Sequence, residues 1–187
     1  MRTWPAPRFL LALALAAPVA ACTSPARPAV VTVPGTSVRG VAATVAHVVD
    51  GDTVDLTLPG GATERARLLG IDTPETVKPD TPVECFGPEA SGQTKALLPD
   101  HTRVVVQRDE QARDRYGRLL VYLWRRDDGL FVNGALVTHG YARTLSISPN
   151  RAHAADLAAA ATEARARGAG LWGACGREAG SSGGPGG

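Results

Sequence analysis

The stretch Arg67-Leu68-Leu69-Gly70-Ile71-Asp72-Thr73-Pro74-Glu75 carries a guanidinium and two carboxylates at spacings that bring them close together. Its aliphatic run predicts a strand leading into Asp72. Pro74 ends that strand, because proline has no N–H for a ladder and fixes its own φ. Asp72 and Glu75 therefore meet at a strand exit. With an unbroken period of two, Arg67 lies on the same side as Leu69 and Ile71, a permanent charge where a plain strand has an apolar residue. Carboxylates accept cations and protons, and a guanidinium binds anionic oxygens, so this set is equipped to handle charge rather than to fill a core.

The elements that must position these groups are readable on either side. Ala42 to Val49 and Thr53 to Leu58 are two strands joined through Asp50-Gly51-Asp52, an Asp-Gly hairpin signal. Pro59-Gly60-Gly61 turns the chain again, and Thr63 to Ile71 returns as a third strand. Thr76 to Cys85, with Lys78, Pro79, Asp80 and Pro82, reads as an irregular loop leaving the Asp72 to Glu75 corner, where loops often cover a site. Gly87-Pro88-Glu89-Ala90 starts a helix that Pro99 ends. Thr102 to Arg108 and Leu119 to Trp124 are the fourth and fifth strands, separated by the polar turn Asp109 to Arg118, in which Gly117 can take a positive φ. A short helix runs from Asn133 to His139 and closes at Gly140. Pro149-Asn150 is expected to cap a last helix with Ala154, Leu157, Ala158 and Ala161 on its apolar face. The fold class is α+β, a five-stranded Greek-key β-barrel of OB type with about three helices.

At 187 residues and 44% hydrophobic composition the chain has room for one domain, residues 41–176, once its ends are set aside. The net charge of +2 is weak support for a polyanionic partner, so local clustering has to carry that argument. Residues 1–21 place Arg2 and Arg8 ahead of the apolar run Phe9 to Ala17 and then small residues, the layout of a secretory signal and too short to span a bilayer. Val19-Ala20-Ala21-Cys22 resembles a bacterial lipobox, in which Cys22 is lipidated and becomes the mature N-terminus; the alternative is ordinary signal-peptidase cleavage after Ala21. The protein is thus expected to be exported, with a lipid as its one membrane attachment if Cys22 is modified. Residues 22–40, rich in Pro, Ser, Thr and Val, read as a flexible tether, and residues 177–187, mostly Gly and Ser, as a disordered tail. Cys85 and Cys175 remain as an even pair in a chain bound for an oxidising compartment, which predicts a disulfide. Closing so long a loop contributes up to about 4 to 5 kcal/mol in the chain-entropy model. His47, His101, His139 and His153 are scattered and carry no assigned chemistry.

Three stretches together resemble the staphylococcal nuclease family: Asp50 to Val54, Arg67 to Glu75 and Asp114-Arg115-Tyr116-Gly117-Arg118. Phe86 to Ser91 and Asn133 to Val137 extend the likeness, which covers nearly all of Val41 to Trp172. Asp-Gly turns are common on their own; all these motifs in this order are specific. The resemblance implies that Asp52 and Asp72 are carboxylate ligands of a Ca2+ ion and that Thr73 adds its backbone carbonyl. It implies that Glu75 acts on the attacking water, as a base or as a positioner, and that Arg67 and Arg118 hold the phosphate being cleaved. Arg115 and Tyr116 are placed by it near a terminal phosphate or base, and Asp50 is either a turn residue or a support for the ion. The expected activity is calcium-dependent hydrolysis of phosphodiester bonds in DNA and RNA, with 3′-phosphorylated products, by a monomer.

The chemistry agrees with that reading. Calcium is a hard cation satisfied by carboxylate, carbonyl and water oxygens in loose geometry, and a planar, permanently charged fork suits the charge that builds on phosphate oxygens. Two rivals remain: from another class, a non-catalytic OB-type module binding nucleic acid or protein, and, second, an exported phosphodiesterase for small nucleotides. The presence of all five of Asp52, Arg67, Asp72, Glu75 and Arg118 weighs against the first; comparing long strands with dinucleotides addresses the second. The chain departs from the family at Thr144-Leu145-Ser146-Ile147-Ser148, where family members with strong nucleotide binding carry tyrosines, each stacked base being worth about 1 to 3 kcal/mol.

Overall fold

The computed structural model describes residues 30–76 and 82–175. The expectations for the leader, Cys22 and the Gly/Ser tail fall outside them. Four strands follow one another in antiparallel steps: β1 (Val30–Thr32), β2 (Arg39–Val48), β3 (Thr53–Thr57) and β4 (Thr63–Leu68). Alternation fixes their faces. Val45, Val54, Leu56, Ala66 and Leu68 are buried, while Asp55, Arg65 and Arg67 between them are not.

After β5 (Gly70–Asp72), helix α1 (Gly87–Leu97) turns its small residues Gly87, Ala90, Ser91 and Thr94 inward. β6 (Arg103–Gln107) and β7 (Leu119–Arg125) are antiparallel to each other, and β7 lies parallel to β4. β6 also pairs with β2, so the order β2-β3-β4-β7-β6 returns to β2. Gly40 permits that last contact, since a Cβ there would meet the Val106 carbonyl oxygen at 2.3 Å. Helix α2 (Val132–Thr138), strand β8 (Arg143–Leu145), helix α3 (Ala154–Ala166) and helix α4 (Leu171–Ala174) complete the chain. The architecture is α+β: a mixed six-stranded sheet, a two-stranded sheet of β5 with β8, and four helices among the described residues.

Four expectations change. The third strand does not continue from Thr63 to Ile71: Gly70, at φ +75, breaks it, and a Cβ there would strike Leu157 Cδ1 at 2.4 Å. β5 leaves the main sheet and pairs with β8, so Arg67 does not share one unbroken row with Ile71. Residues 30–40 are not wholly tether. Val30 to Thr32 pair with Arg39 to Val41, and Val33 is buried against Val105 and Trp124. Asn150 does not cap the last helix, which starts at Ala154; its side chain instead accepts from the Gln111 N–H at 2.8 Å and donates to the Gln111 carbonyl at 3.0 Å. The strand count exceeds five because β1, β5 and β8 are separate, and α4 raises the helix count above three.

Asn133 joins these layers from inside. Fully buried, it accepts from the Leu123 N–H at 2.9 Å and donates to the Leu69 carbonyl at 2.9 Å, locking α2 to β7 and to the residue just before β5. Asn133→Ala strands both backbone groups in the core and is expected to cost about 2 to 4 kcal/mol, each orphaned group contributing about 1 to 3. Urea unfolding checks this; a loss below about 0.5 kcal/mol would contradict the role.

Candidate active site

The hairpin between β2 and β3 is built around Asp50, whose Oδ1 accepts the Asp52 N–H at 3.0 Å, an Asx turn that aims Asp52 inward. From below, the Thr94 hydroxyl of α1 donates to the Gly51 carbonyl at 2.7 Å. Gly51 must be glycine, because a Cβ would meet Thr73 Oγ1 at 2.5 Å. This close approach brings the β2–β3 turn against the end of β5. Asp52 Oδ2 accepts both the N–H and the hydroxyl of Thr73, at 3.1 and 3.2 Å.

Arg67, at the end of β4, ties the two turns together. Its Nη1 lies 2.9 Å from Asp52 Oδ2 and donates to the Leu68 and Ile71 carbonyls at 3.0 Å, and its Nη2 donates to Asp72 Oδ1 at 2.9 Å. The Arg67 side chain is 15% exposed, so its attraction to these carboxylates is little screened. Burial raises the pKa of Asp52 from 3.8 to about 6; Arg67 opposes that rise, while the Asp50 and Asp72 charges add to it.

Arg118 comes from the turn before β7. Gly117, at φ +82, lets the chain reverse there, and Asp114 fixes the result: Oδ1 accepts the backbone N–H groups of Tyr116 and Arg118 at 2.9 Å, and Oδ2 accepts Arg118 Nε at 2.7 Å. Burial pushes the Asp114 carboxyl up, but the hydrogen bonds from Arg118 outweigh it and hold the group below the usual value. The guanidinium of Arg118 thus keeps its two terminal nitrogens off Asp114. In the sequence Asp114 stands out only as part of the Asp114 to Arg118 motif; a carboxylate four residues before an arginine across a Gly turn is the one signal of its role.

Asp50, Asp52, Arg67, Asp72, Thr73, Glu75, Tyr116 and Arg118 line one pocket of about 440 Å³. The proposed catalytic and ligand residues therefore converge. Arg115 does not join them. Its Nη2 donates to the Tyr116 hydroxyl at 2.6 Å and its guanidinium lies 4.8 Å from the centre of that ring, beside a second pocket of about 550 Å³. The two pockets share Arg67, Tyr116 and Arg118, and the second is walled by Leu120, Leu145 and Ile147. Tyr116, Leu145 and Ile147 are exposed, which is unusual for large apolar side chains and puts an apolar ledge beside the guanidiniums. Glu75 keeps its backbone N–H bonded to Glu84 Oε2 at 3.2 Å, and its Oε1 accepts the Thr76 N–H at 2.9 Å.

Among the described residues no three His, Cys, Asp or Glu side chains cluster as a complete metal cage. The donor set nevertheless fits a hard cation. A buried carboxylate with a raised pKa, flanked by two more carboxylates in one polar pocket, is stabilised by added positive charge.

Acidic and guanidinium groups brought together in one pocket on an α+β scaffold are equipped for phosphodiester hydrolysis. A family model described as staphylococcal nuclease homologue matches residues 65–174, more than half of the chain. The chain belongs to that family. It is 40% identical over 137 residues to a thermonuclease of Staphylococcus intermedius, covering 73% of this chain and 79% of that protein. A thermonuclease of Staphylococcus hyicus is 42% identical over 106 residues, 57% of this chain and 60% of that protein. The SPbeta prophage-derived endonuclease YokF of Bacillus subtilis (strain 168) is 34% identical over 131 residues, 69% of this chain but 43% of its own length.

Proposed function

We propose that the protein is an exported, calcium-dependent nuclease that hydrolyses phosphodiester bonds in both DNA and RNA and leaves 3′-phosphorylated ends. The observation that carries this reading is the single pocket shared by Asp52, Asp72, Thr73, Glu75, Arg67 and Arg118. The Asp52 and Asp72 carboxylates and the Thr73 carbonyl would hold the ion, which supplies positive charge beside the scissile phosphate and lowers the cost of ionising a nearby water.

The chain supplies the rest. Arg67 spends Nη1 and one hydrogen of Nη2 on its own acids and carbonyls, leaving Nε and the other Nη2 hydrogen for a substrate oxygen. Arg118, oriented through Nε by Asp114, offers Nη1 and Nη2 to the same phosphate. Both act where charge grows in the transition state, so they favour it over the ground state. Glu75 orients the attacking water and takes its proton. Tyr116 and the Leu145 and Ile147 ledge receive the adjoining sugar and base, with less stacking than aromatic residues would give.

The return of the strand order to β2 supports a closed OB-type barrel with the site at its rim. The leader in residues 1–21 and Cys22 support export, with lipid attachment as the tether. No helix among the described residues is long and apolar enough to cross a membrane.

End-labelled DNA and RNA oligonucleotides digested with calcium test the reaction. Both sugars should be cut, and phosphatase should shift every product that carries a 5′ fluorophore by one phosphate; 3′-hydroxyl ends, or cutting of dinucleotides only, would contradict it.

A further inference from the structure

Glu75 is held from outside its own turn. The Glu84 N–H donates to the Glu75 carbonyl at 2.9 Å, and the Glu75 N–H donates to Glu84 Oε2 at 3.2 Å, so residue 84 clasps residue 75 through both backbone groups. Gly87 then passes so near that a Cβ would lie 2.9 Å from the Glu75 carbonyl oxygen and 3.3 Å from that of Pro74. Between Glu84 and Gly87 comes Cys85, bonded to Cys175 at the end of α4 with the two Cα atoms 5.9 Å apart. Phe86 follows at φ +69, a conformation that side chains disfavour and that persists only where the surroundings impose it.

At Phe86 the Tyr141 ring supplies part of this, its centre 5.4 Å away, and the buried Gly87 donates its N–H to the Glu84 carbonyl at 3.0 Å, but packing does not reach Glu84 and Cys85 themselves. Residues 82–85 are all exposed, Val83 among them at 59%. Hydrogen bonds at exposed positions compete with water and hold little by themselves. α4, by contrast, is anchored: Leu171 is buried and its N–H donates to the Gly140 carbonyl at 2.9 Å. The covalent link to Cys175 therefore adds that anchorage to the single bond from Gly87, and passes it through Glu84 to Glu75.

We propose that Glu84 and the Cys85–Cys175 disulfide are positioning residues for Glu75, so that nuclease turnover depends on the oxidation state of the pair. The inference rests on the reading of Glu75 as the group acting on water. Reduction by a dithiol breaks the S–S bond, delivers two electrons and two protons to give two thiols, and leaves the dithiol as its cyclic disulfide. A chain still in a reducing cytoplasm is then a poor nuclease, and oxidation after export completes the site.

The test uses the full chain with saturating calcium, comparing oxidised wild type with Cys85→Ser/Cys175→Ser by kcat and KM on a single-stranded oligonucleotide, with near-UV circular dichroism at the assay temperature. The double variant is expected to lose about tenfold to a hundredfold in kcat, the scale of a small displacement of a reacting group. KM should hold within twofold, because Arg67 and Arg118 do not depend on the clasp. In the oxidised protein Glu84→Ala should fall similarly, and Glu84→Gln, which keeps an acceptor oxygen, should recover. In a Glu75→Ala background the serine pair should change kcat no further. The inference is overturned if the serine variant keeps wild-type kcat, if Glu84→Ala does so with the disulfide intact, or if kcat falls again in the Glu75→Ala background. Oxidised wild type that never cuts would overturn the nuclease reading itself, and this inference with it.

Discussion

Arg118→Lys is expected to lower kcat by about 10² to 10³ while the melting curve stays within about 1 kcal/mol of wild type. The reason is geometric before it is electrostatic. Asp114 orients the side chain by accepting Nε at 2.7 Å, which leaves two more nitrogens projecting as a fixed fork. Lysine has one nitrogen. It either pairs with Asp114 or reaches the phosphate as a mobile, strongly hydrated point charge, and both choices forfeit the two-pronged contact. Since the fork acts where charge accumulates, the loss should fall on kcat more than on KM. Glu75→Ala should lose a comparable factor if, as proposed, its carboxylate acts on the water. Steady-state kinetics on a defined oligonucleotide, with circular dichroism to establish folding, measure both; either variant within threefold of wild type would refute its role.

Asp52→Asn should abolish most activity and yet make the metal-free protein more stable. The folded-state pKa of Asp52, about 6, lies above its ordinary value of 3.8, so the folded protein binds that proton more tightly than the unfolded chain does. Ionised Asp52 therefore weakens the fold above pH 6; the penalty shrinks as pH falls from 6 to 3.8 and is gone below. Asparagine never carries it. At pH 8 in chelator the variant should gain up to about 3 kcal/mol, and near pH 4 the two proteins should converge. Calcium should narrow the gap at pH 8, because it stabilises the wild type by mass action and has a poorer site in the variant. Urea titrations followed by tryptophan fluorescence at the two pH values decide this. A variant that is less stable than wild type at pH 8, or a gain indifferent to pH, would mean that Asp52 is not a strained carboxylate awaiting a cation.

Asp52, Asp72, Glu75 and Arg118 were legible because each sits beside a local breaker, and Arg67 because it puts a charge into an aliphatic strand; that Asp52 and Arg118 share the site rested on the family resemblance. Asp52 follows Asp50-Gly51, Asp72 and Glu75 bracket Pro74, and Arg118 follows Gly117, so short-range chain geometry puts them at the ends of strands or in turns. What escaped was decided by tertiary contact. Gly70 looks like an ordinary weak point in a strand until Leu157 of α3 is seen occupying the space of its Cβ. Val30 to Thr32 lie in a stretch whose prolines and serines suggest a tether, and they pair because Val33 finds Val105 and Trp124 on the far side of the sheet. Asn150 carries a cap-like signal, but its amide is used across the chain on Gln111. Asp114 and Glu84 read as turn and loop acids. Asp114 orients Arg118, for which the i,i+4 spacing across Gly117 was a faint signal, whereas the bond of Glu84 to the Glu75 N–H spans a loop that no local pattern describes. The Cys85–Cys175 pairing was readable from number and compartment; that it ends beside the Glu75 clasp was not.

The central claim is that a calcium ion and two arginine forks act on one phosphorus at this pocket. Plasmid digestion across a calcium titration, with a chelator control, puts it to the test. Cutting should rise with calcium to saturation and vanish on chelation, and Asp52→Asn should shift the titration to much higher calcium. Undiminished cutting in excess chelator, or nucleic-acid binding without any cutting at saturating calcium, would contradict it.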